Sequence, residues 1–368
     1  MNYISQKFSQ TENVEFFRVL RTRVGSYFHT KNRSKYGNWS MRMKTVMMFT
    51  LYLTPYVFIL SGNITQPVMF VALWVTMGLG KAGIGLSIMH DANHGAYSSR
   101  KRINKFLGYS MNLIGANAEI WKLQHNILHH TYTNIHGADD DIHTPKILRF
   151  SPYDKRYWIH RYQFLYVWFF YGISTLSWMT SKEFFQAFRY KKMGLVKGKH
   201  KFRNLLTQLA LWKVFYFTYM LVLPIMFVPV PAWLILISFL AMHFTTGIIL
   251  SLIFQTAHVM PECKFPTPNN KGIIENSWAI HEMMTTSNYA PSSRVFSWLI
   301  GGLNYQVEHH LFPTICHVHY RKISKIVSDT AKEFNVPYHS QKTFALAIWN
   351  HIQMLHKLGR WEPTVTQG

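Results

Sequence analysis

The chain is poor in cysteine and in acid. Cys263 and Cys316 are its only cysteines among 368 residues, and no CxxC occurs. That excludes a disulfide framework, a zinc ribbon and a cysteine-held iron–sulfur cluster. Asp and Glu total 16 against 39 Lys and Arg, and charged residues make up 15% of the chain, where a soluble domain carries about a quarter. The first 45 residues contain no short apolar stretch followed by a cleavage site, so a cleaved signal peptide is not expected. No internal repeat, low-complexity tract or second soluble domain is visible.

What is present is apolar and basic. The chain is 48% hydrophobic and 16% aromatic, with a net charge of +23. Basic chains partner nucleic acid or anionic lipid. Here long apolar runs decide for the membrane and against nucleic acid. A crossing helix needs about 20 apolar residues, and four runs are read as spans: about 46–60, which is short and pairs with the next run as a hairpin, 67–89, 209–227 and 234–255. SGNITQ (Ser61 to Gln66) and FVPVPAW (Phe227 to Trp233) supply the turns. Residues 1–45 form a basic lead-in with aromatic and aliphatic residues between the charges, fitting either an interfacial amphipathic helix or a solvated arm.

Two segments between the spans are expected not to cross. Residues 104–118 are too short to cross and return. Residues 158–180 are aromatic enough to span, but the next segment carries Lys182, Arg189, Lys191, Lys192, Lys197, Lys199, Lys201 and Arg203 against Glu183. Loops on the cytoplasmic side hold the Lys/Arg excess, so 158–180 is read as an aromatic helix along the cytoplasmic interface. The tail from 318 is amphipathic and basic, with Pro337 dividing two helical patterns. Gly78, Gly80, Gly83 and Gly85 in the second run either let helices approach closely or leave room for a substrate tail. Lys81 in that run is a costly intramembrane charge to which the sequence assigns no role.

The histidines stand in groups. His90 and His94 (HDANH) are four apart and share a helix face, as do His125 and His129 (HNILHH), with His130 turned about 100° from His129 on an α-helix. QVEHH adds His309 and His310, with Gln306 four before His310, and His258 follows the fourth run. Imidazole is the commonest ligand for iron, copper, zinc and nickel. The grouped histidines exceed the four ligands of one tetrahedral zinc and suit two metal ions. Under the four-span arrangement all the groups face the cytoplasm.

The histidine boxes on a four-span chain resemble the membrane fatty acid desaturases. The resemblance runs from the lead-in through HDANHG, WKLQHN, HHTYTN and NYQVEHHLFP to the tail. It implies an all-α polytopic membrane protein whose cytoplasmic helical cap holds a histidine-rich di-iron site. It implies two Fe ions bound by His90, His94, His125, His129, His130, His309 and His310, with His258 in the place of a further family ligand. These same residues are the catalytic set. Gln306 stands where many desaturases have a ninth histidine, and an amide there binds weakly, through water, or not at all. Glu308 is an alternative ligand, and Asp91, Asn93 and Glu308 are placed to accept imidazole N–H bonds. His281 either orients a ligand imidazole or packs structurally, with packing favoured. His243 lies inside the fourth span and is read as a hydrogen-bonded buried histidine. His317 and His319 support a ligand or lie on the surface, and His29, His200, His339, His351 and His356 are read as surface. Trp121 walls an acyl tunnel or packs the core. The run Asp139–Asp141 is read as solvated or as a helix cap.

The function implied is O2-dependent insertion of a cis double bond into a long-chain acyl substrate, carried on CoA, acyl carrier protein or glycerolipid. The glutamine heading the third box resembles the front-end branch, in which the new bond lies between an existing one and the carboxyl end. No haem motif of the HPGG type and no flavin fingerprint occurs, so a separate ferredoxin or cytochrome b5-like donor is implied, together with a bacterial inner-membrane location. The organisation expected is a lead-in at 1–45, a desaturase domain at 46–317 and a cytoplasmic amphipathic tail at 318–368. A hydroxylase or ketolase of the same di-iron class has an overlapping ligand set and is separated by product analysis. A zinc-binding membrane receptor or lipid amidohydrolase, needing one metal only, is separated by metal analysis.

Overall fold

Four helices in the computed structural model are long and apolar enough to cross a membrane: Trp39–Leu60, Pro67–Asn93, Lys199–Phe227 and Ala232–His258. The structure describes residues 6–9 and 14–361. Strand is confined among these to two short parallel pairs, Lys7–Phe8 with Ile273–Ile274 and Ser287–Tyr289 with His339–Gln341. The protein is an all-α polytopic membrane protein.

The four helices extend beyond the apolar runs. The first begins at Trp39 rather than 46, the third at Lys199 rather than 209, and the second and fourth continue to Asn93 and His258. Hydropathy marks only the stretch suited to hydrocarbon, while the hydrogen-bonded helix runs on through its basic and polar ends. Asn38 starts the first helix by accepting from the Met41 N–H at 3.2 Å, an N-cap that hydropathy does not register. The helices bearing His90 and His258 therefore reach the histidines themselves.

Among the described residues the chain divides into two units, 37–123 with 169–251, and the described residues before 37 with 124–168 and 252–361. The first unit holds most of the apolar helix length. It exposes Val46, Leu53, Val57, Phe58, Leu211, Val214, Leu236, Ile237 and Leu240. An apolar surface of this size suits lipid rather than water. Inside the unit the glycines serve close approach. A Cβ on Gly80 would stand 2.6 Å from the Tyr52 backbone nitrogen, and one on Gly78 2.7 Å from the Met242 carbonyl oxygen. Gly85 differs, since its Cβ would meet only Leu250 at 3.5 Å.

Lys81 also finds its place in this unit. Its Nζ donates to the Tyr216 hydroxyl at 2.9 Å and lies 3.2 Å from His243 Nε2. The Tyr216 hydroxyl is 2.9 Å from the same Nε2, and Thr175 Oγ1 is 3.0 Å from His243 Nδ1. His243 is thus the hydrogen-bonded buried histidine expected, and Lys81 faces protein rather than lipid. Glu183 pairs with Lys213 and accepts from the Asn117 N–H at 2.6 Å. The helical segments Gln163–Ser177, Trp178–Lys182 and Glu183–Lys192 are not among the four helices suited to crossing.

The second unit is built on Val14–Thr30, Trp278–Thr285, Gln306–Leu311, Tyr320–Glu333 and Phe344–Leu358. Phe16, Leu20, Ile280, Met283, Val307, Leu311, Ile323 and Val327 form its main apolar core. Pro337 lies between the last two helices, as the amphipathic pattern of the tail suggests. His351, read as surface, is buried, and so are His317 and His319, read as supporting a ligand or lying on the surface. His351 Nδ1 meets the Val259 carbonyl at 2.9 Å, and His319 Nε2 meets that of Tyr36 at 3.1 Å. The carbonyl partner of His351 lets the amphipathic tail helix Phe344–Leu358 bury a polar residue on its inner face.

Candidate metal centre

In the first unit the sites for His90 and His94 are prepared by a change of helical pitch. The π-helical turn Ile84–Met89 delivers the chain to His90, and such turns are frequent at functional sites. The His90 and His94 rings lie with centroids 4.8 Å apart. Trp121 packs edge-on against both, at 5.7 and 5.6 Å, within a small apolar cluster with Met89 and Met111. His90 Nδ1 is 3.6 Å from the Asp91 carboxylate. Asn93 Nδ2 points to the Gly108 carbonyl and the Met89 sulfur.

The remaining grouped histidines meet in the second unit. Residues Lys122–His129 are again π-helical, and the wider turn brings residues five apart closer to one face than an α-helix does. His130 is therefore not turned away from the box as an α-helix would have it. Its ring lies 4.7 Å from that of His125, and the two Nε2 atoms are 3.2 Å apart. His130 Nε2 is also 3.0 Å from His309 Nε2. Three ring nitrogens thus point at a common place. His129, His258 and His310 form a second convergence, with ligand atoms within 4.8 Å of one another.

The rings are held from behind, on Nδ1. His129 Nδ1 lies 3.1 Å from Asp139, and His310 Nδ1 lies 2.7 Å from Glu282. His258 Nδ1 donates to the Thr285 carbonyl at 3.2 Å, and His309 Nδ1 faces the Tyr320 hydroxyl at 3.2 Å. A carbonyl only accepts, so His258 carries its proton on Nδ1 and leaves Nε2 as a lone-pair donor. That Nε2 is buried with no hydrogen-bond partner among the described residues. A neutral imidazole with one nitrogen pinned and the other bare in a buried cluster is the arrangement a metal ligand requires. The all-imidazole donor set suits iron. For His129, burial opposes the charged form, but the Asp139 and Asp141 carboxylates outweigh it and raise the ring to about 9. The same carboxylates make its nitrogen a more basic ligand.

Several supporting residues depart from the sequence reading. Asp139 is fully buried rather than solvated, and it also accepts from the Asn134 N–H at 2.8 Å. In a chain with only 16 acids, a run of three following a histidine box was the available signal. Glu282 was missed beside His281, and it rather than His281 reaches a grouped histidine. His281 packs against Phe8 at 5.1 Å and belongs to no metal-competent group among the described residues. Burial pushes His281 down to about 4. Glu308 is not placed as a ligand: it accepts from Asn288 Nδ2 and the Tyr338 hydroxyl, each at 2.8 Å. Asn288 also accepts from the Val307 N–H at 2.9 Å. These bonds anchor a six-residue helix, Gln306–Leu311, that is too short to be stable alone. Gln306 is buried at its start, with Nε2 unpartnered among the described residues.

Comparison with known proteins agrees with this geometry. The fatty acid desaturase family model matches residues 65–342. An sn-1 linoleoyl-lipid 6-desaturase of Synechocystis sp. is 34% identical, over 97% of this chain and 99% of its own length. An acyl-lipid (8-3)-desaturase of Physcomitrium patens is also 34% identical, over 97% of this chain and 74% of its own. A probable Delta(5) fatty acid desaturase C of Dictyostelium discoideum is 28% identical, over 95% of this chain and 77% of its own. With a family match over most of its length and histidine clusters able to hold the iron that the family uses, the chain belongs to the fatty acid desaturases and is a membrane-associated oxidoreductase of acyl lipids.

Proposed function

We propose that the protein is a front-end acyl-lipid desaturase with two irons, held by His90, His94, His125, His129, His130, His258, His309 and His310. The observation that carries the ligand set is the pinning of His129, His258, His309 and His310 on Nδ1, which leaves Nε2 for metal. Bound iron would supply, with dioxygen as co-substrate, the oxidising power to break an unactivated C–H bond. The chain's part is to hold the imidazoles rigid, to keep water from the site by burying it, and to fix the tautomer of each ring.

Reduction of dioxygen to water takes twice the electrons that one new double bond releases. An external donor must supply the rest, and a ferredoxin or cytochrome b5-like protein fits that need. Such carriers tend to be acidic, and a chain of net charge +23 would steer them well. The basic segments after 182 and in the tail support a metal face on the cytoplasmic side of a bacterial inner membrane. In this reading 1–45 is a lead-in, 46–317 the catalytic membrane domain and 318–368 a cytoplasmic tail.

The front-end assignment rests on the relatives named as 6- and (8-3)-desaturases and on the glutamine heading QVEHH. It makes the substrate a glycerolipid-bound, long-chain acyl group that already carries a cis bond, and linoleoyl is the first candidate. Gln306 would act as a neutral amide that tunes one iron or a bound water. The experiment is expression in a host of defined lipid content, fed stearate and linoleate separately, with gas chromatography of the fatty acids. Linoleate gaining a double bond on its carboxyl side supports the reading. Stearate converted to oleate with linoleate untouched overturns it.

A further inference from the structure

HHTYTN ends in a residue that the metal ligand set does not use. Asn134 is fully buried in the left-handed conformation, with φ of 60°. That conformation suits asparagine better than most side chains. Its backbone N–H donates to Asp139 Oδ2 at 2.8 Å, the carboxylate that holds His129. Its side-chain Nδ2 donates to the His258 carbonyl at 2.9 Å and the Lys264 carbonyl at 3.2 Å. It also stands 3.5 Å from the Thr285 carbonyl, the acceptor for His258 Nδ1. One residue thus touches what fixes His129 and what fixes His258. The adjacent Thr133 completes the set: its hydroxyl oxygen is 2.9 Å from Glu282 and 3.3 Å from His310 Nδ1.

We propose that Asn134 is a positioning residue that sets His258 against His129 for iron binding. It does this by clasping the carbonyls of the 258–264 turn and of Thr285 from a left-handed turn braced on Asp139. The ligands to be spaced come from chain positions more than a hundred residues apart, so the last helix of the membrane region must be tied to the second histidine box by something besides the metal. The inference rests on the iron-binding reading above.

The test uses the full-length protein purified in detergent, with iron(II) as probe. Asn134→Gly keeps the left-handed backbone and the N–H to Asp139 but removes the clasp. Asn134→Asp keeps the shape but turns an acceptor toward three carbonyl oxygens. Iron affinity should fall 10- to 100-fold in both, about the loss typical of mutated ligand supports. The Mössbauer spectrum should lose or alter one of two iron signals, and the rise in Tm between metal-free and iron-loaded protein should shrink. A purely structural role would lower Tm equally with and without iron. Unchanged affinity and spectra in the variants would overturn the proposal, as would failure of both to fold, which would assign Asn134 to the fold. Wild-type protein that binds no iron would instead overturn the underlying iron reading.

Discussion

Asp139 holds His129. Its Oδ1 lies 3.1 Å and its Oδ2 3.2 Å from His129 Nδ1, and both side chains are buried. The pair is enclosed within one turn of chain, because Asn134 and Asp141 donate their backbone N–H groups to the same carboxylate at 2.8 and 2.9 Å. The carboxylate is thereby fixed before any metal arrives.

Asp139→Asn should weaken iron binding by about 10- to 100-fold. The amide can still orient the ring but cannot make it more basic. Asp139→Ala, which loses both effects, should be worse. Iron(II) titration of purified protein measures this; equal affinities for Asp139→Asn and wild type would show that the charge is irrelevant.

Alanine at any of His90, His94, His125, His129, His130, His258, His309 or His310 should abolish the new fatty acid while protein still reaches the membrane. His281→Ala should retain activity, with any loss traceable to stability, because its ring meets Phe8 and no grouped histidine. Immunoblotting of membranes beside fatty acid analysis distinguishes the two classes. Full activity in two of the first eight variants would remove the ligand assignment.

Gln306→His should lower activity rather than improve the site. Imidazole is rigid and cannot donate and accept in the way an amide does. Product yield and iron content in the same membranes report the effect, and a gain in both would mean that the position prefers a true ligand.

Gly80→Ala should destabilise the membrane unit by about 1–3 kcal/mol, the usual cost of overpacking. The new Cβ would stand 2.6 Å from a backbone nitrogen, which cannot rotate away. Gly85→Ala, with a Leu250 methyl at 3.5 Å as its nearest neighbour, should be close to neutral. Thermal inactivation in detergent compares them, and equal losses would contradict the close-approach argument.

Lys197→Cys should resist an impermeant thiol reagent applied to intact cells, while a cysteine at Asn63, in the first turn, should react. Cys263 and Cys316 are buried and give little background. Labelling at 197 from outside would place the basic segment on the wrong side and overturn the four-span topology.

Much of this protein was legible from local pattern. Apolar runs report spans because lipid offers the backbone no hydrogen-bond partners, and histidines four apart report a shared helix face. Both are properties of neighbours in sequence, and both survived folding. The exact helix ends did not, because Asn38 and the basic turns extend helices past the point where hydropathy stops. The pitch at the second histidine box was not legible for a related reason: Lys122–His129 is π-helical, so the α-helical angle of about 100° between His129 and His130 does not describe that turn.

The sequence by itself determined the family, the membrane class and the ligand candidates, since these depend on residue type and short spacing. Tertiary structure alone decided what stands behind the ligands. Asp139, Glu282, Thr285, Tyr320 and Asn134 reach the histidines through hydrogen bonds that depend on direction and on sub-ångström placement. Only the packed chain sets those, by bringing residues distant in sequence within 3 Å or so of one another. The same packing turned Glu308 from a candidate ligand into an anchor for its own helix, and it gave Lys81, a charge to which the sequence assigned no role, a tyrosine and a histidine as partners.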